Sequence, residues 1–159
     1  MKKLINKSLR TLSQNYSKAP FFNDIYPIIE SVYLSGINNL ARFSSLSVTK
    51  ISEYLELNTQ FSFSSELDFD IQETNRTQRL IKINKGIESH TYINSLGGKE
   101  LYSREDFAKY GINLYFLKGN LPSYDQGIEE FVPALSIIDI LMFNQKQDVL
   151  EMLKSYVLI

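Results

Sequence analysis

Short β-strand patterns alternate with helical patterns in the middle of the chain, and this alternation limits the fold more than any other feature. Residues 59–64, 91–93 and 112–117 are rich in apolar and β-prone side chains and predict strands. Helical spacing predicts helices over residues 77–87 and 104–109, between those strands. Strands and helices that alternate through short connections favour parallel pairing. We therefore expect an α/β fold with a small, mostly parallel sheet of about three strands.

Helical patterns occupy both ends of the chain. Apolar residues recur at three- and four-residue steps through residues 1–57, where Pro20 and Gly36 divide the pattern into three amphipathic helices. Residues 135–159 predict two more helical segments with a break near Asn144. No internal repeat or Gly/Ser linker divides the chain. We expect one α/β domain over residues 1–159, with a helical section at 1–57, an α/β section at 58–134 and C-terminal helices at 135–159.

Composition excludes several classes of site. The 159 residues include no Cys and a single His, His90, so disulfides, thiolate chemistry, zinc fingers and two-His metal sites are excluded. We therefore expect no metal. The net charge is −1, and the aromatic strand segments lack the clustered basic residues that nucleic-acid-binding surfaces need. We expect no nucleic-acid partner, and we expect His90 to be a surface or packed residue.

No segment predicts a membrane span or a secretory signal. Polar residues break the opening stretch, Met1 to Ser8, before any apolar run of signal-peptide length. The longest apolar run, Ile137 to Phe143, is interrupted by Asp139 and is far shorter than the roughly 20 residues of a membrane span. We therefore expect a cytoplasmic protein without a transmembrane segment, which the absence of Cys also fits.

A glycine loop, Ser95-Leu96-Gly97-Gly98-Lys99, is the first candidate ligand site. It follows a predicted strand, so its backbone N–H groups are expected at the carboxyl end of a parallel sheet, where anions commonly bind. Ser95 offers a hydroxyl and Lys99 a positive charge, and the glycines allow a phosphate to approach closely. The pattern predicts binding of a nucleotide or phosphosugar. It matches neither the Walker pattern nor GxGxxG, so a tight turn that needs positive φ is the alternative interpretation.

The second candidate site is the loop Tyr124-Asp125-Gln126, which follows the third predicted strand. A parallel sheet would put this loop at the same edge as the glycine loop, and loops at that edge often carry function. An Asp beside a Tyr and a Gln can orient an amine or a sugar hydroxyl, which predicts a catalytic role for these three residues. Turn formation alone is the alternative. Asp139 follows Ser136 by three residues and is interpreted as a first-turn carboxylate of a capped helix.

An ordered set of motifs resembles the WbqC-like protein family. The motifs, in the family's order, are Lys18-Ala19-Pro20-Phe21-Phe22, Thr91-Tyr92-Ile93 with Gly97-Gly98-Lys99, Phe107 to Ile112, and Leu135-Ser136-Ile137-Ile138-Asp139 continuing to Asn144. Tyr124, Gln126 and the helix opening at Arg79 also resemble family positions. Family members usually begin with a strand, a Gln-Pro-Tyr-Phe-Pro-like turn and a segment rich in Trp. The resemblance therefore implies that this chain corresponds to the C-terminal portion of a typical member.

The resemblance implies a role in the biosynthesis of a bacterial surface polysaccharide such as O-antigen. The implied reaction is transfer of an amino-acid or acyl group onto an amino sugar, with a small phosphorylated ligand and no identified cofactor. In this hypothesis the glycine loop holds a phosphate, while Tyr124, Asp125 and Gln126 orient the acceptor. The alternative is a truncated, non-catalytic module that docks onto a protein of the same pathway through an exposed apolar face or sheet edge.

Overall fold

The structure is a computed structural model that describes residues 2–73 and 75–159, with the side chain of Lys2 left out. These residues form seven α-helices and one three-stranded sheet. The helices are α1 (Lys2–Tyr16), α2 (Phe22–Tyr33), α3 (Leu40–Tyr54), α4 (Arg76–Gly86), α5 (Arg104–Ala108), α6 (Ile137–Phe143) and α7 (Lys146–Met152). The strands are β1 (Thr91–Ser95), β2 (Asn113–Gly119) and β3 (Tyr156–Leu158). The α/β class is therefore confirmed.

The chain divides into two compact units. The helical unit contains the residues up to Thr59 together with Pro122–Lys154, and the sheet unit contains Gln60–Leu121 together with Ser155–Ile159. Each unit is therefore built from two separate stretches of sequence. The single-domain organisation with its three sections stays a prediction.

The helical unit has a core of apolar side chains, most of them from α2, α6 and α7. Its buried members are Ala19, Ile25, Ile29, Leu55, Ile140, Leu141, Met142 and Val149. The backbone N–H of Phe21, just before α2, donates to the carbonyl of Met142 at 3.1 Å, which ties the start of α2 to α6. The three predicted N-terminal helices are confirmed. Gly36, which divides the second helix from the third in the prediction, lies after α2 with a φ of +73°, a left-handed conformation common at helix C-termini.

The sheet unit is built on the central strand β2. β1 pairs with it in parallel, with Thr91 opposite Asn113, and β3 pairs with it antiparallel, with Leu117 opposite Leu158. Helices α4 and α5 contribute Ile81 and Phe107 to a core that also contains three residues before and within β2, Ile112, Leu114 and Phe116. The predicted helices over 77–87 and 104–109 and the predicted strands over 91–93 and 112–117 are confirmed with small changes at their ends.

Two details of the predicted sheet are wrong. Residues 59–64 alternate aromatic and polar side chains, but they run as an irregular segment into a 3-10 helix at Ser64–Glu66 instead of pairing as a strand. The third strand is β3, within the section predicted as C-terminal helices. Because β3 is antiparallel to β2, the sheet is mixed, so the description of it as mostly parallel is imprecise. A strand of three residues depends on its partner for stability, and that partner is remote in sequence.

Candidate functional site

A buried carboxylate, Asp139, lies at the centre of the helical unit's polar interactions. It is in the first turn of α6 and is only 4% exposed. The predicted cap is present at Ser136, whose hydroxyl accepts a hydrogen bond from the N–H of Ile138 at 3.3 Å. The Asp139 side chain has a different role from the predicted one, because its carboxylate oxygens accept hydrogen bonds from side chains of two other segments.

Two phenols and one amide donate to this carboxylate. The hydroxyl of Tyr124 donates to Oδ1 of Asp139 at 2.6 Å, and the hydroxyl of Tyr16, at the end of α1, donates to Oδ2 at 3.0 Å. Nε2 of Gln126 donates to Oδ1 at 3.1 Å. We call these four residues the Asp139 cluster. It joins α1, α6 and the loop before α6, so three separate segments position its side chains.

Gln126 is held in one orientation by a backbone group. Its Oε1 accepts from the N–H of Val132 at 2.8 Å, and its Nε2 donates to the carbonyl of Val132 at 3.0 Å. This pairing fixes which end of the amide faces Asp139, because only Nε2 can donate to a carboxylate. Gln126 is 5% exposed, and its bonds to Val132 also close the loop between the two residues.

The two tyrosines of the cluster hold their protons more tightly than ordinary tyrosines. Burial is the main cause and the hydrogen bond to Asp139 adds to it, and together they raise the pKa of Tyr16 and of Tyr124 to about 12. For Tyr124 the hydrogen bond from Gln126 acts in the opposite direction. Both phenols are therefore protonated at neutral pH and donate a hydrogen bond to Asp139. Each phenol oxygen can still accept a hydrogen bond from another group.

The described partners of the Asp139 carboxylate, two phenols and one amide, are neutral. None of the ion pairs within residues 2–73 and 75–159 involves Asp139. A buried charge is costly unless hydrogen bonds and an opposite charge compensate it, and the cluster supplies only the hydrogen bonds. The arrangement therefore suits a ligand that carries a positive charge or several N–H donors.

The structure separates the three residues of the predicted loop site. Tyr124 and Gln126 belong to the Asp139 cluster, whereas Asp125 is exposed. Oδ1 of Asp125 accepts from the N–H of Gly127 at 2.8 Å, where the backbone has a φ of +67°. This is the turn chemistry that the alternative interpretation expected of such a loop. A catalytic role for Asp125 stays a prediction.

The glycine loop belongs to the sheet unit. β1 ends at Ser95, and a single 3-10 turn, Leu96–Gly98, follows it. Ser95 and Lys99 are exposed, while Gly98 is buried, and a Cβ at Gly98 would lie 2.5 Å from the side-chain nitrogen of Asn94. Neither glycine has positive φ, so the conformational reason given for the tight-turn interpretation is wrong. Phosphate binding by this loop stays a prediction.

The remaining predictions concern His90, metal binding and membrane-spanning helices. His90 is exposed, as predicted for a surface residue, and its carbonyl accepts from the N–H of Asn113. Within the described ranges, no three His, Cys, Asp or Glu side chains are close enough to hold a metal ion. No helix in the same ranges is long and apolar enough to cross a membrane.

Sequence reasoning missed Tyr16 and the true role of Asp139. The signal for Asp139 is its position inside an apolar helical run, where a carboxylate is expensive to bury without partners. Tyr16 gives no comparable signal. It is separated from Asp139 by 123 residues, and its spacing in α1 is that of an ordinary core position.

Comparison with known proteins identifies the family of the chain. No curated protein and no solved structure matches it. The model of the WbqC-like protein family matches residues 1–151, which include both predicted sites and every residue of the Asp139 cluster. The chain therefore belongs to the WbqC-like protein family.

Proposed function

We propose that this protein acts in the cytoplasm in the biosynthesis of a bacterial surface polysaccharide such as O-antigen, where it assists transfer of an amino-acid or acyl group onto an amino sugar. Membership of the WbqC-like family supports the pathway. The Asp139 cluster supports the nature of the acceptor, and the cluster is the proposed acceptor site.

The observation that carries this proposal is a buried carboxylate with only neutral partners. The ammonium group of an amino sugar supplies the positive charge that the described partners of Asp139 do not. At an effective dielectric constant of about 20, two unit charges about 4 Å apart attract by about 4 kcal/mol. A sugar without a charged amine lacks this interaction, so the cluster favours amino sugars over neutral ones.

Group transfer to an amine also requires a proton acceptor. The bound ammonium must first lose one proton to water, because a protonated nitrogen has no lone pair. As the free amine then bonds to the acyl carbon, the donor's leaving group departs with the electron pair of the broken bond, and the nitrogen must lose a second proton. Tyr124 would contact the acceptor and take this proton while passing its own to Asp139, 2.6 Å away. Asp139 and Gln126 then act as positioning residues, because they hold Tyr124 and do not need to touch the acceptor themselves.

The glycine loop is the proposed phosphate site. Ser95 and Lys99 are exposed, and the turn through Gly97 and Gly98 directly follows β1. A phosphorylated sugar or nucleotide would accept hydrogen bonds from Ser95 and from the backbone, and Lys99 would balance part of its charge.

The test is a thermal-unfolding titration with three sugars that differ at one group, namely glucosamine, N-acetylglucosamine and glucose. We expect glucosamine alone to raise the melting temperature, because ligands that bind only the folded state stabilise it. At about 100 times its Kd, a ligand contributes about 2.7 kcal/mol, or a shift of roughly 5–10 °C for a chain of this size. Asp139→Asn should remove the response.

The control variant is Tyr54→Phe, which alters a tyrosine of the same core outside the cluster and should keep the response to glucosamine. Equal responses to all three sugars, or an undiminished response in Asp139→Asn, would reject the acceptor site. A protein that responds to no sugar or nucleotide but to a pathway protein would instead fit the non-catalytic docking module.

A further inference from the structure

Positive charge is concentrated at the start of the chain. The first 52 residues carry seven Lys and Arg against two Asp and Glu, a net charge of +5, and the remaining 107 residues carry ten against sixteen, a net charge of −6. Helix α1 contributes four basic residues and no acidic one. The overall charge of −1 therefore conceals a strongly basic segment, and such an asymmetry is typical of chains that bind an anionic surface.

Residues of this basic segment form an apolar groove in the helical unit. It runs between α1, the connection after α2 and the start of α3, has a volume of about 730 Å³, and is lined mainly by Leu4, Ile5, Tyr33, Ile37, Leu40 and Phe43. None of its lining residues is acidic. Two leucines at its rim are largely uncovered, Leu4 at 69% exposed and Leu40 at 78% exposed. We call these two residues the rim leucines.

Basic side chains of α1 flank Leu4, one of the two rim leucines. Lys3 precedes Leu4 and Lys7 follows it by three residues, a spacing that makes Leu4 and Lys7 neighbours on the helix surface. Arg10 lies one further turn along, and all three basic residues are exposed. We call Lys3, Lys7 and Arg10 the basic face. Exposed leucines beside exposed cations are the arrangement of helices that lie at a membrane surface.

We propose that this part of the helical unit binds the surface of an anionic phospholipid bilayer. The rim leucines enter the boundary between headgroups and acyl chains, while the basic face contacts lipid phosphates. The charge of the first 52 residues is complementary to such a surface, and exposed apolar patches of this kind mark interaction sites. A nucleic acid would use basic and aromatic side chains but gain little from aliphatic leucines. The inference goes beyond the proposed function and does not depend on the Asp139 cluster.

The first experiment measures binding of the whole protein to lipid vesicles by co-sedimentation. We expect the protein to bind vesicles of equal parts phosphatidylglycerol and phosphatidylcholine, and to leave pure phosphatidylcholine vesicles unbound. Raising the salt from about 0.1 M to about 0.5 M should weaken binding about tenfold or more, because salt screens exposed charges. Equal binding to both kinds of vesicle, or to neither, would overturn the proposal.

Matched variants separate the two contributions. Lys3→Gln/Lys7→Gln/Arg10→Gln should weaken vesicle binding on the order of 100-fold, since each basic residue near an anionic surface contributes substantially. The control, Lys109→Gln/Lys118→Gln/Lys154→Gln, makes the same change in net charge at exposed lysines elsewhere and should bind like the unaltered protein. Equal losses in the two triple variants would show a general charge effect and reject the assigned face.

The leucines are tested by insertion as well as by removal. Leu4→Ser/Leu40→Ser should weaken binding about tenfold or more, whereas Leu101→Ser/Leu121→Ser, at exposed leucines of the sheet unit, should not. The chain contains no Trp, so Leu4→Trp introduces a single tryptophan, whose emission can be excited selectively over that of the tyrosines. Its emission should shift to the blue on anionic vesicles, while that of Leu121→Trp should not. If the Leu4→Trp emission does not shift in the vesicle-bound protein, the proposed insertion of Leu4 into the membrane is wrong. This test does not depend on whether the Ser variants fold.

A second readout separates this inference from the proposed function. Asp139→Asn should bind anionic vesicles as the unaltered protein does, even where its response to glucosamine is lost. A soluble polyanion such as heparin should compete weakly, because it offers charge without an apolar layer. If heparin or an acidic protein binds this face while the leucine variants bind normally, the partner is a polyanion or a protein and the membrane proposal is wrong.

Discussion

Asp139 shows how burial determines the importance of a single residue. The same carboxylate on an exposed helix would contribute a modest interaction with the helix dipole. Because the Asp139 side chain is only 4% exposed, its hydrogen bonds to protein groups take the place of hydrogen bonds to water. The phenols of Tyr16 and Tyr124 and the amide of Gln126 supply these bonds from two other segments, so the carboxylate is a point of both stability and chemistry.

Removing the shortest of these hydrogen bonds should destabilise the protein. Tyr124→Phe keeps the ring and its edge-to-face contact with Phe131, but it removes the 2.6 Å bond to Asp139. Because a buried acceptor loses a donor, we expect the free energy of unfolding to fall by about 1.5–3 kcal/mol in urea titrations. Tyr54→Phe is the control. Among the described residues, the Tyr54 hydroxyl has no hydrogen-bond partner, so we expect a change below about 0.5 kcal/mol. Similar losses in both variants would contradict the structural role of the Tyr124–Asp139 bond.

The raised pKa values predict how stability responds to alkaline pH. The pKa of Tyr16 and of Tyr124 is about 12 in the folded protein, above the ordinary value of 10.0 for tyrosine. The folded state therefore holds these protons more tightly, so the contribution is fully present below pH 10 and is lost as the pH rises to about 12. Urea unfolding across this range should show a steeper loss of stability in the unaltered protein than in Tyr16→Phe/Tyr124→Phe. Parallel pH profiles would show that the cluster does not hold the two phenol protons.

Elements with a local pattern could be predicted, and elements that depend on a distant partner could not. Helices α1, α2 and α4 have clear apolar periodicity, and β1 and β2 have β-prone side chains, so the sequence alone predicts all five. Residues 59–64 have the alternation of a strand without a partner, whereas β3 has a partner in β2 but only three residues. The candidate site follows the same rule. Tyr124 and Gln126 can be predicted from one loop, but Tyr16 meets Asp139 only through tertiary packing.

The antiparallel pairing of β3 predicts different effects of proline at neighbouring positions. Phe116 and Ile159 exchange two backbone hydrogen bonds, at 2.8 and 3.0 Å. Antiparallel pairs alternate between bonded and non-bonded, so Lys118 and Val157 form the next bonded pair and the N–H of Leu158 faces away from β2. Val157→Pro should therefore lower the free energy of unfolding by about 1–3 kcal/mol more than Leu158→Pro, measured in urea. A larger loss in Leu158→Pro would mean that the N–H of Leu158, and not that of Val157, is bonded to β2.

At the scale of the whole molecule, the two proposed ligand sites belong to different units. The residues of the Asp139 cluster all belong to the helical unit, and Ser95, Gly97, Gly98 and Lys99 all belong to the sheet unit. Each site is thus built by a different part of the fold. A single-site substitution should therefore affect the response to one class of ligand and leave the response to the other.

Lys99→Ala and Asp139→Asn test this separation in thermal unfolding with a nucleoside diphosphate and with glucosamine as separate ligands. Lys99→Ala should lose the nucleotide response, keep the glucosamine response and leave the unliganded melting temperature unchanged, because Lys99 is exposed. Asp139→Asn should show the reverse pattern of ligand responses with a lower melting temperature of its own, because a buried acceptor network is disturbed. Lys118→Ala, an exposed lysine of the same unit as Lys99, should keep both responses. A nucleotide response that survives Lys99→Ala would reject the phosphate role of the glycine loop. If the ligand effects of the two substitutions do not add in the Lys99→Ala/Asp139→Asn double variant, the two sites are energetically coupled.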